Sequence, residues 1–597
     1  MGAAKPLDAG TGRLTASFDP ISAAWLSLGA PHERIGFVEL SALPPFDERG
    51  RGDPSVTRAH RQAMTSGAYA FLAVEIDGAR PAMVPDSRDA SRPRWMSDAA
   101  TVEVDAAPDG SVIRQRWTVA LGDAAPPSVR VQLAGTLDRP ALAEITELDP
   151  PSPTGGATTL IARGRRVVLD APRLPASVTV TVSGAVITWH PDGDRCVGTL
   201  TWPASAPVVR FVIEAGLRPL ALGTSQPLAA HHEVGDRLTD RALAYVRGCT
   251  ALRTAPDERV FLTDHRILPL SWTRDAYWQA LALLAVDGPG DRRRVADHLR
   301  WLWRRCERPE GRWVRSHHAN GQRKDLAFQA DQQLYPIVEL ADLWRCTGVL
   351  PDGVNWAAVV PRAWSAALEA VDERTGFIAS AENAADDPAT LPYIVATQVL
   401  LWYAGLRLAQ VASAVDIGIG ADDLRAVARA VRVAFERLVA APGMPWPYAL
   451  DDAGERLAYH DANDLPVALA PIWGFCAADD RGWLNTMAFA FGPRNPGWDG
   501  GRLPGLGSAH TPGAWSLGDI QAWIAARSRG DDAAAARALG RLGTVSFSDG
   551  MLPEAYDTET GAPVRHWFAW PGAALAALRL LDRQSRLMTA LAVADSG

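Results

Sequence analysis

The chain has 597 residues, 47% of them hydrophobic and 21% charged, the balance of a soluble globular protein too long for one ordinary core. A formal net charge of -8 and the lack of any Lys/Arg-rich run argue against a nucleic-acid partner. No stretch approaches the roughly 20 apolar residues that span a membrane, so no membrane partner is expected. The segment from Met1 to Pro20 has no apolar signal core. The cysteines, Cys196, Cys249, Cys306, Cys346 and Cys476, are scattered and form no CxxC pair. They fit a reducing compartment and leave no cysteine zinc site, so the expected location is cytoplasmic. The 22 tryptophans exceed ordinary usage; their flat faces suit sugar stacking as well as core packing.

Residues 15 to about 220 read as strands. The segments 101–107, 112–121, 128–137, 165–171, 177–190, 196–202 and 207–217 are rich in Val and Thr, often alternate, and are separated by Gly, Pro and Asp turns. An antiparallel β-sandwich is the expected fold of residues 1–225. The pattern changes near Pro227. From there to residue 597 amphipathic helices follow one another, at 233–249, 275–286, 291–306, 332–348, 355–371, 392–415, 421–440, 464–477, 515–530, 531–543 and 571–584, with apolar residues at i, i+3, i+4 and i+7. Loops of very unequal length join them and hold most of the Trp, Asp, His and Asn. An all-α toroid with its functional groups on one set of loops is the economical architecture. A solenoid is the alternative, but no fixed period supports it.

The loops carry the candidate chemistry. Trp272, Arg274 and Asp275 stand where a loop becomes a helix: a stacking face, a planar fork of donors and an acceptor for two hydroxyls. A helix-start acid favoured by the dipole explains Asp275 equally well. Gln329 and Asp331 precede another helix, where Asp331 is also a good N-cap. Asp386 and Asp387 are adjacent before Pro388. One can cap a helix while the other points into a cavity, and mutual repulsion suits one of them to hold a proton. A fourth loop holds His460, Asp461, Asn463 and Asp464, and a Gly-rich fifth brings His510 and Thr511 ahead of a helix. It lacks a phosphate-binding pattern. His231–His232 and His317–His318 are adjacent rather than at metal-ligand spacing, so no metal and no cofactor are expected. Near the C-terminus, Pro553 holds Glu554 out of a helix. Arg565, Trp567, Phe568 and Trp570 follow. An acid, a fixed cation and aromatic faces suit a neutral polyol, although a loop glutamate beside a helix start reads the same way.

Taken in order, these loops resemble the metal-independent exo-acting α-mannosidases of glycoside hydrolase family 125. The family's Trp-x-Arg-Asp is similar to Trp272, Arg274 and Asp275. Its Leu-Asp-Ser-Leu-Cys-Tyr-Pro resembles Ala330 to Pro336, keeping Asp331, Tyr335 and Pro336. Its Ser-Asp-Asp and following Ile-Pro-Ser-Asn resemble Asp386–Asp387 and Val395 to Gln398. Asp461, Ala462, Asn463 and Pro466 match a further block, Gly505 to Thr511 another, and Pro553 to Tyr556 with Arg565 to Trp570 the last. The blocks cover roughly residues 240 to 585. The departures are the β-rich N-terminal region, Thr397-Gln398 for Ser-Asn, Pro553 for His, and Gln332, Gln333 and Leu334 for Ser-Leu-Cys; they can retune the sugar recognised.

The resemblance implies an (α/α)6 barrel and an inverting exo-hydrolase of α-mannosides. Glu554 would be the general base and one of Asp386 and Asp387 the general acid, Asp386 being preferred. Arg274, Asp275, Gln329, Asp331, Asp461, Asn463, His510, Thr511 and Arg565 would hold the terminal sugar, with Trp272, Trp567 and Trp570 as walls. The expected partner is a small carbohydrate or glycoside. An exo-hydrolase of another sugar such as glucose, a phosphorylase and a non-catalytic carbohydrate-binding protein are the alternatives. Glu554 speaks against the phosphorylase, and a full set of carboxylates against the binding protein.

Overall fold

The computed structural model describes residues 5–44, 46–50, 53–86, 92–120, 127–140, 158–171, 176–202, 207–218, 236–441, 443–564 and 566–593. Its contacts divide the chain into two compact units, 1–271 with 318–322, and 272–317 with 323–597. The expected change near Pro227 and the pair His231–His232 lie outside the described residues.

The first unit contains two large antiparallel sheets and the small hairpin Ala251–Ala255 with Glu258–Phe261. One runs in the order Leu7–Gly10, Thr15–Phe18, Trp25–His32, Leu72–Ile76, Val129–Leu133, Arg195–Thr201, Val186–Asp192, with Gly36–Ser41 and Thr136–Asp138 branching from it. The other runs Thr159–Arg163, Arg166–Ala171, Ala176–Ser183, Val208–Arg218, Ile113–Ala120, Ala100–Asp105, Arg94–Met96, Val84–Pro85. Alternation does what it should: every second residue from Ile113 to Val119 is buried, and the inward faces share one apolar core. Gln115 is the polar exception there. Its carbonyl accepts Trp25 Nε1 at 2.8 Å and Trp117 Nε1 at 2.9 Å, and its amide donates to Ala23 O at 2.6 Å.

Helix α1 (Pro54–Met64) interrupts the strands. Asp53 caps it by accepting from Ser55 N, and Pro54 stands at its first position. Helix α2 (Arg237–Tyr245) groups with this unit because Arg241 donates to the Asp8 carbonyl at 3.3 Å and 3.4 Å. The turn after it comes so close to the first strand that a Cβ on Gly10 would lie 2.1 Å from Gly248 O. Gly10→Ala is therefore expected to cost about 1–3 kcal/mol through forced backbone shifts. An unchanged denaturation midpoint would contradict that close approach.

The second unit is helical: α3 (Thr273–Val286), α4 (Pro289–Arg300), α5 (Ala330–Thr347), α6 (Trp356–Leu368), α7 (Val395–Ala412), α8 (Ala421–Leu438), α9 (Leu465–Trp473), α10 (Arg481–Ala490), α11 (Ser516–Ser528), α12 (Asp532–Val545), α13 (Ala569–Arg583) and α14 (Leu587–Leu591). Helices α3, α5, α7, α9, α11 and α13 each touch the next, and α13 closes on α3. These inner helices are buried nearly all round. The helices between them are amphipathic; α8 buries Leu424, Ala428, Val431 and Phe435 and exposes the rest of its polar face. The closed ring is the expected (α/α)6 barrel. Helix α10 is not expected from periodicity, because Gly482, Asn485 and Thr486 blur its apolar stripe; it forms with Asp480 accepting Trp483 N at 2.8 Å. Among the described residues no helix is long and apolar enough to cross a membrane.

Candidate active site

The six inner helices all begin at the segments that hold the candidate residues. Trp272 is the N-cap residue of α3, with Arg274 and Asp275 in its first turn. Gln329 is the N-cap residue of α5 and Asp331 lies in its first turn. The loop with Asp386 and Asp387 leads to α7, and Asp464 is the N-cap residue of α9. The strand Thr511–Trp515 runs into α11, and Trp567 and Phe568 precede α13, whose first turn holds Trp570. Helix N-termini carry partial positive charge, which suits the many carboxylates gathered there.

Arg274 is the centre of the arrangement. Its Nη1 donates to Asp331 Oδ2 at 2.8 Å and Gln329 Oε1 at 3.1 Å, and its Nη2 reaches Asp386 Oδ1 at 3.4 Å. The guanidinium lies 5.1 Å from the centre of the Trp570 ring. Burial works against its charge, and Asp331, Asp386 and Asp275 more than offset this, so its pKa lies above the ordinary value. Trp272 Nε1 donates to Asp386 Oδ2 at 3.1 Å.

The expectation that Asp331, or one of Asp386 and Asp387, caps a helix is corrected here. Asp331 is the second residue of α5 and directs its carboxylate to Arg274, while α7 begins at Val395 with no side-chain cap. The Asp386 loop is instead built round Asn383, whose Oδ1 accepts from Ala385 N at 2.9 Å and Asp387 N at 3.0 Å. Asp386 takes a left-handed conformation, φ 67°, which an Asp adopts more readily than most residues and which points its carboxylate at Arg274.

The Asp386–Asp387 loop and the Glu554 segment are joined through one dipeptide. His510 Nδ1 lies 3.1 Å from Asp387 Oδ1, and Thr511 Oγ1 donates to Glu554 Oε1 at 3.1 Å. Glu554 is buried on a bend just before the two-residue strand Ala555–Tyr556, which pairs with Thr511–Trp515. Pro553 keeps that approach extended, as expected. Arg565 lies outside the described residues.

Asp461 is fully engaged by protein. It accepts Tyr459 Oη at 2.7 Å, Ser508 Oγ at 2.9 Å, and both Asn463 N (2.9 Å) and Asn463 Nδ2 (2.7 Å). Asn463 Oδ1, Arg274 Nε and Trp570 Nε1 are buried polar atoms with no hydrogen-bond partner among the described residues. Two of the departures from the family pattern, Gln333 and Gln398, are braces. Gln333 holds Trp313 N and O at 2.9 Å and 2.7 Å; Gln398 does the same for Ile378, at 2.9 Å each.

One carboxyl, Glu382, escaped the sequence reading, and another, Asp464, was named there only as a member of the fourth loop. Glu382, four positions before Asp386, receives Gln329 Nε2 at 3.1 Å and Arg315 Nη1 at 3.2 Å; burial above all raises its pKa. Its place in an Asp- and Asn-rich loop is the one signal it gives. Asp464 accepts Asp461 N at 3.2 Å. Burial, and after it the charge of Asp461, pushes its carboxyl well above the usual range. Folded Asp464 thus binds its proton more tightly than the unfolded chain does. That stability is present at acid pH and is lost as pH rises from the ordinary carboxylate pKa through the folded value. Asp464→Asn keeps the shape without the titration. Its melting temperature is expected to gain on the unaltered protein as pH is raised, and a difference constant with pH would refute this.

The family described as metal-independent alpha-mannosidase (GH125) matches residues 363–580, which include the Asp386, Asp461, His510 and Glu554 segments. No curated protein matches. Among solved structures, a bacterial glucoamylase complexed with acarbose is 10% identical, with a TM-score of 0.60 over 98% of this chain and 94% of that one. The Streptococcus pneumoniae metal-independent α-mannosidase, in a non-productive complex with α-1,6-mannobiose, is 17% identical over 58% of this chain and 93% of its own, with a TM-score of 0.49. The mannosylglycerate hydrolase of Thermus thermophilus, with glucose, is 17% identical over 58% of this chain and 100% of its own, with a TM-score of 0.42. The glucoamylase likeness spans the β-rich and helical regions alike, and speaks for the fold alone. With the family's pattern present in residues 363–580 on an (α/α)6 glycoside hydrolase fold, the chain is a divergent GH125-like protein with a separate N-terminal domain.

Proposed function

We propose that the protein is an inverting, exo-acting glycoside hydrolase that removes a terminal α-linked sugar, mannose in the first instance. The observation that carries the proposal is the His510–Thr511 dipeptide, which touches the Asp386–Asp387 loop with one residue and Glu554 with the next. Glu554 takes the proton of the attacking water, and Asp386 gives one to the departing glycosidic oxygen. An inverting pair stands about 6.5–9.5 Å apart to admit that water. Asp386 suits the acid role by its valences. Oδ1 accepts Gln329 and Arg274, while Oδ2 accepts only Trp272, which leaves Oδ2 one position for a proton. Arg274, Asn463 and Trp570 offer polar atoms to the sugar's hydroxyls, and the carboxylates around Arg274 disfavour an anionic nucleophile such as phosphate.

The α-mannoside reading rests on the family match. An α-glucoside is the second reading, favoured by the glucoamylase-like fold of the whole chain. Steady-state assays of sugar release from matched aryl α-mannosides and α-glucosides decide between them. A kcat/KM favouring the mannoside by about tenfold or more, unchanged by added phosphate, supports the first reading; preference for the glucoside replaces it. No release from any substrate would remove the hydrolase reading altogether.

A further inference from the structure

Gln329 is fully buried, and each of its hydrogen-bonding positions is occupied. Its carbonyl accepts Arg274 Nη1 at 3.1 Å and Gln332 Nε2 at 3.2 Å. Its amide donates to Asp386 Oδ1 at 2.6 Å and Glu382 Oε2 at 3.1 Å. Two donors and two acceptors exhaust a primary amide, so nothing is left for a sugar hydroxyl. The orientation is also forced. A flipped amide would set N–H against the Arg274 and Gln332 donors, and carbonyl oxygen against two carboxyl groups.

The neighbours hold this amide rigidly. Gln332 accepts from Arg274 N at 3.0 Å and from the Thr273 hydroxyl, and donates to Arg315 O at 3.2 Å. Arg315 returns to Glu382 at 3.2 Å and is also paired with Asp325 at 3.0 Å. Gln329, Glu382, Arg315 and Gln332 therefore close a ring of hydrogen bonds, from which Gln329 sends two spokes outward, to Arg274 and to Asp386. The Asp386 spoke ends on Oδ1, opposite the oxygen with a position left for the proton.

We infer that Gln329 is a positioning residue rather than a sugar ligand: it aims the Asp386 carboxyl so that Oδ2 faces the glycosidic oxygen. This rests on the reading of Asp386 as the proton donor. Proton donation matters most when the leaving group is poor. A glycosyl fluoride departs with little protonic help, whereas a methyl glycoside needs it. A residue that only supports the fold, or only binds the sugar, affects both substrates alike.

The test compares the methyl α-glycoside and the α-glycosyl fluoride of the sugar the unaltered enzyme cleaves. Gln329→Met is expected to lower kcat for the methyl glycoside about 10²–10³-fold and to leave fluoride hydrolysis within about tenfold, an effect of the size general acid catalysis supplies. Gln329→Asn keeps the amide but shortens its reach; it should show the same selectivity to a smaller degree and guards against a Met variant that does not fold. Fluoride turnover itself reports that each variant is folded. Equal losses on both substrates, or no loss on either, would overturn the inference. An unaltered enzyme inactive on both would instead overturn the hydrolase reading, and this inference with it.

Discussion

Glu554→Gln is expected to lower kcat about 10²–10⁴-fold, the contribution typical of a general base, with little change in KM. The substitution keeps the shape and replaces an oxygen by an NH₂ group, so Thr511 can still hydrogen-bond to the side chain. The peptide frame is independent of the carboxylate: Glu554 N donates to His566 O at 3.0 Å, and Ser516 N donates to Glu554 O at 3.2 Å. Activity should therefore fall without a matching fall in melting temperature. Retention of more than about a tenth of the activity would assign the base elsewhere.

Arg274→Met is the second large effect, and it is expected in stability as well as in activity. The guanidinium is the shared partner of Asp331 and Asp386, and removing it strands a buried carboxylate, Asp331, and a half-buried one, Asp386. Such a loss costs about 3–5 kcal/mol. Arg274→Lys separates charge from geometry. A single ammonium supplies the charge but not the planar fork that reaches Gln329, Asp331 and Asp386 together, nor the face laid on Trp570. The Lys variant should recover much of the stability in chemical denaturation and little of the activity. Full activity with Lys would show that Arg274 acts only as a counter-charge.

The strands and most helices were legible because burial imposes a period: two along Ile113–Val119, between three and four along α8. Helix α10 and the capped α1 were not, since one lacks a clean stripe and the other is a polar insertion whose signal is Asp53-Pro54. At the candidate site the residue types were readable and their division of labour was not. A carboxylate at a helix start serves as cap, ion-pair partner or ligand with the same local sequence, and only the position of Arg274 assigns Asp331 to the pair. Gln329 and Asp461 show the same limit. Both have the chemistry of sugar ligands, yet protein groups occupy Gln329 completely and four donors converge on Asp461. Glu382 was overlooked, and Asp464 was named without a role, for the converse reason: burial gives them their character, and burial is a property of the folded chain.

In the proposed mechanism Asp386 and Glu554 act on opposite faces of one glycosidic bond. Proton NMR of the first sugar released tests it most directly, before mutarotation scrambles the anomers. An α-glycoside is expected to yield the free β-sugar, with or without phosphate, and Glu554→Gln to yield none. Release of the α-anomer, or of a sugar phosphate, would contradict it.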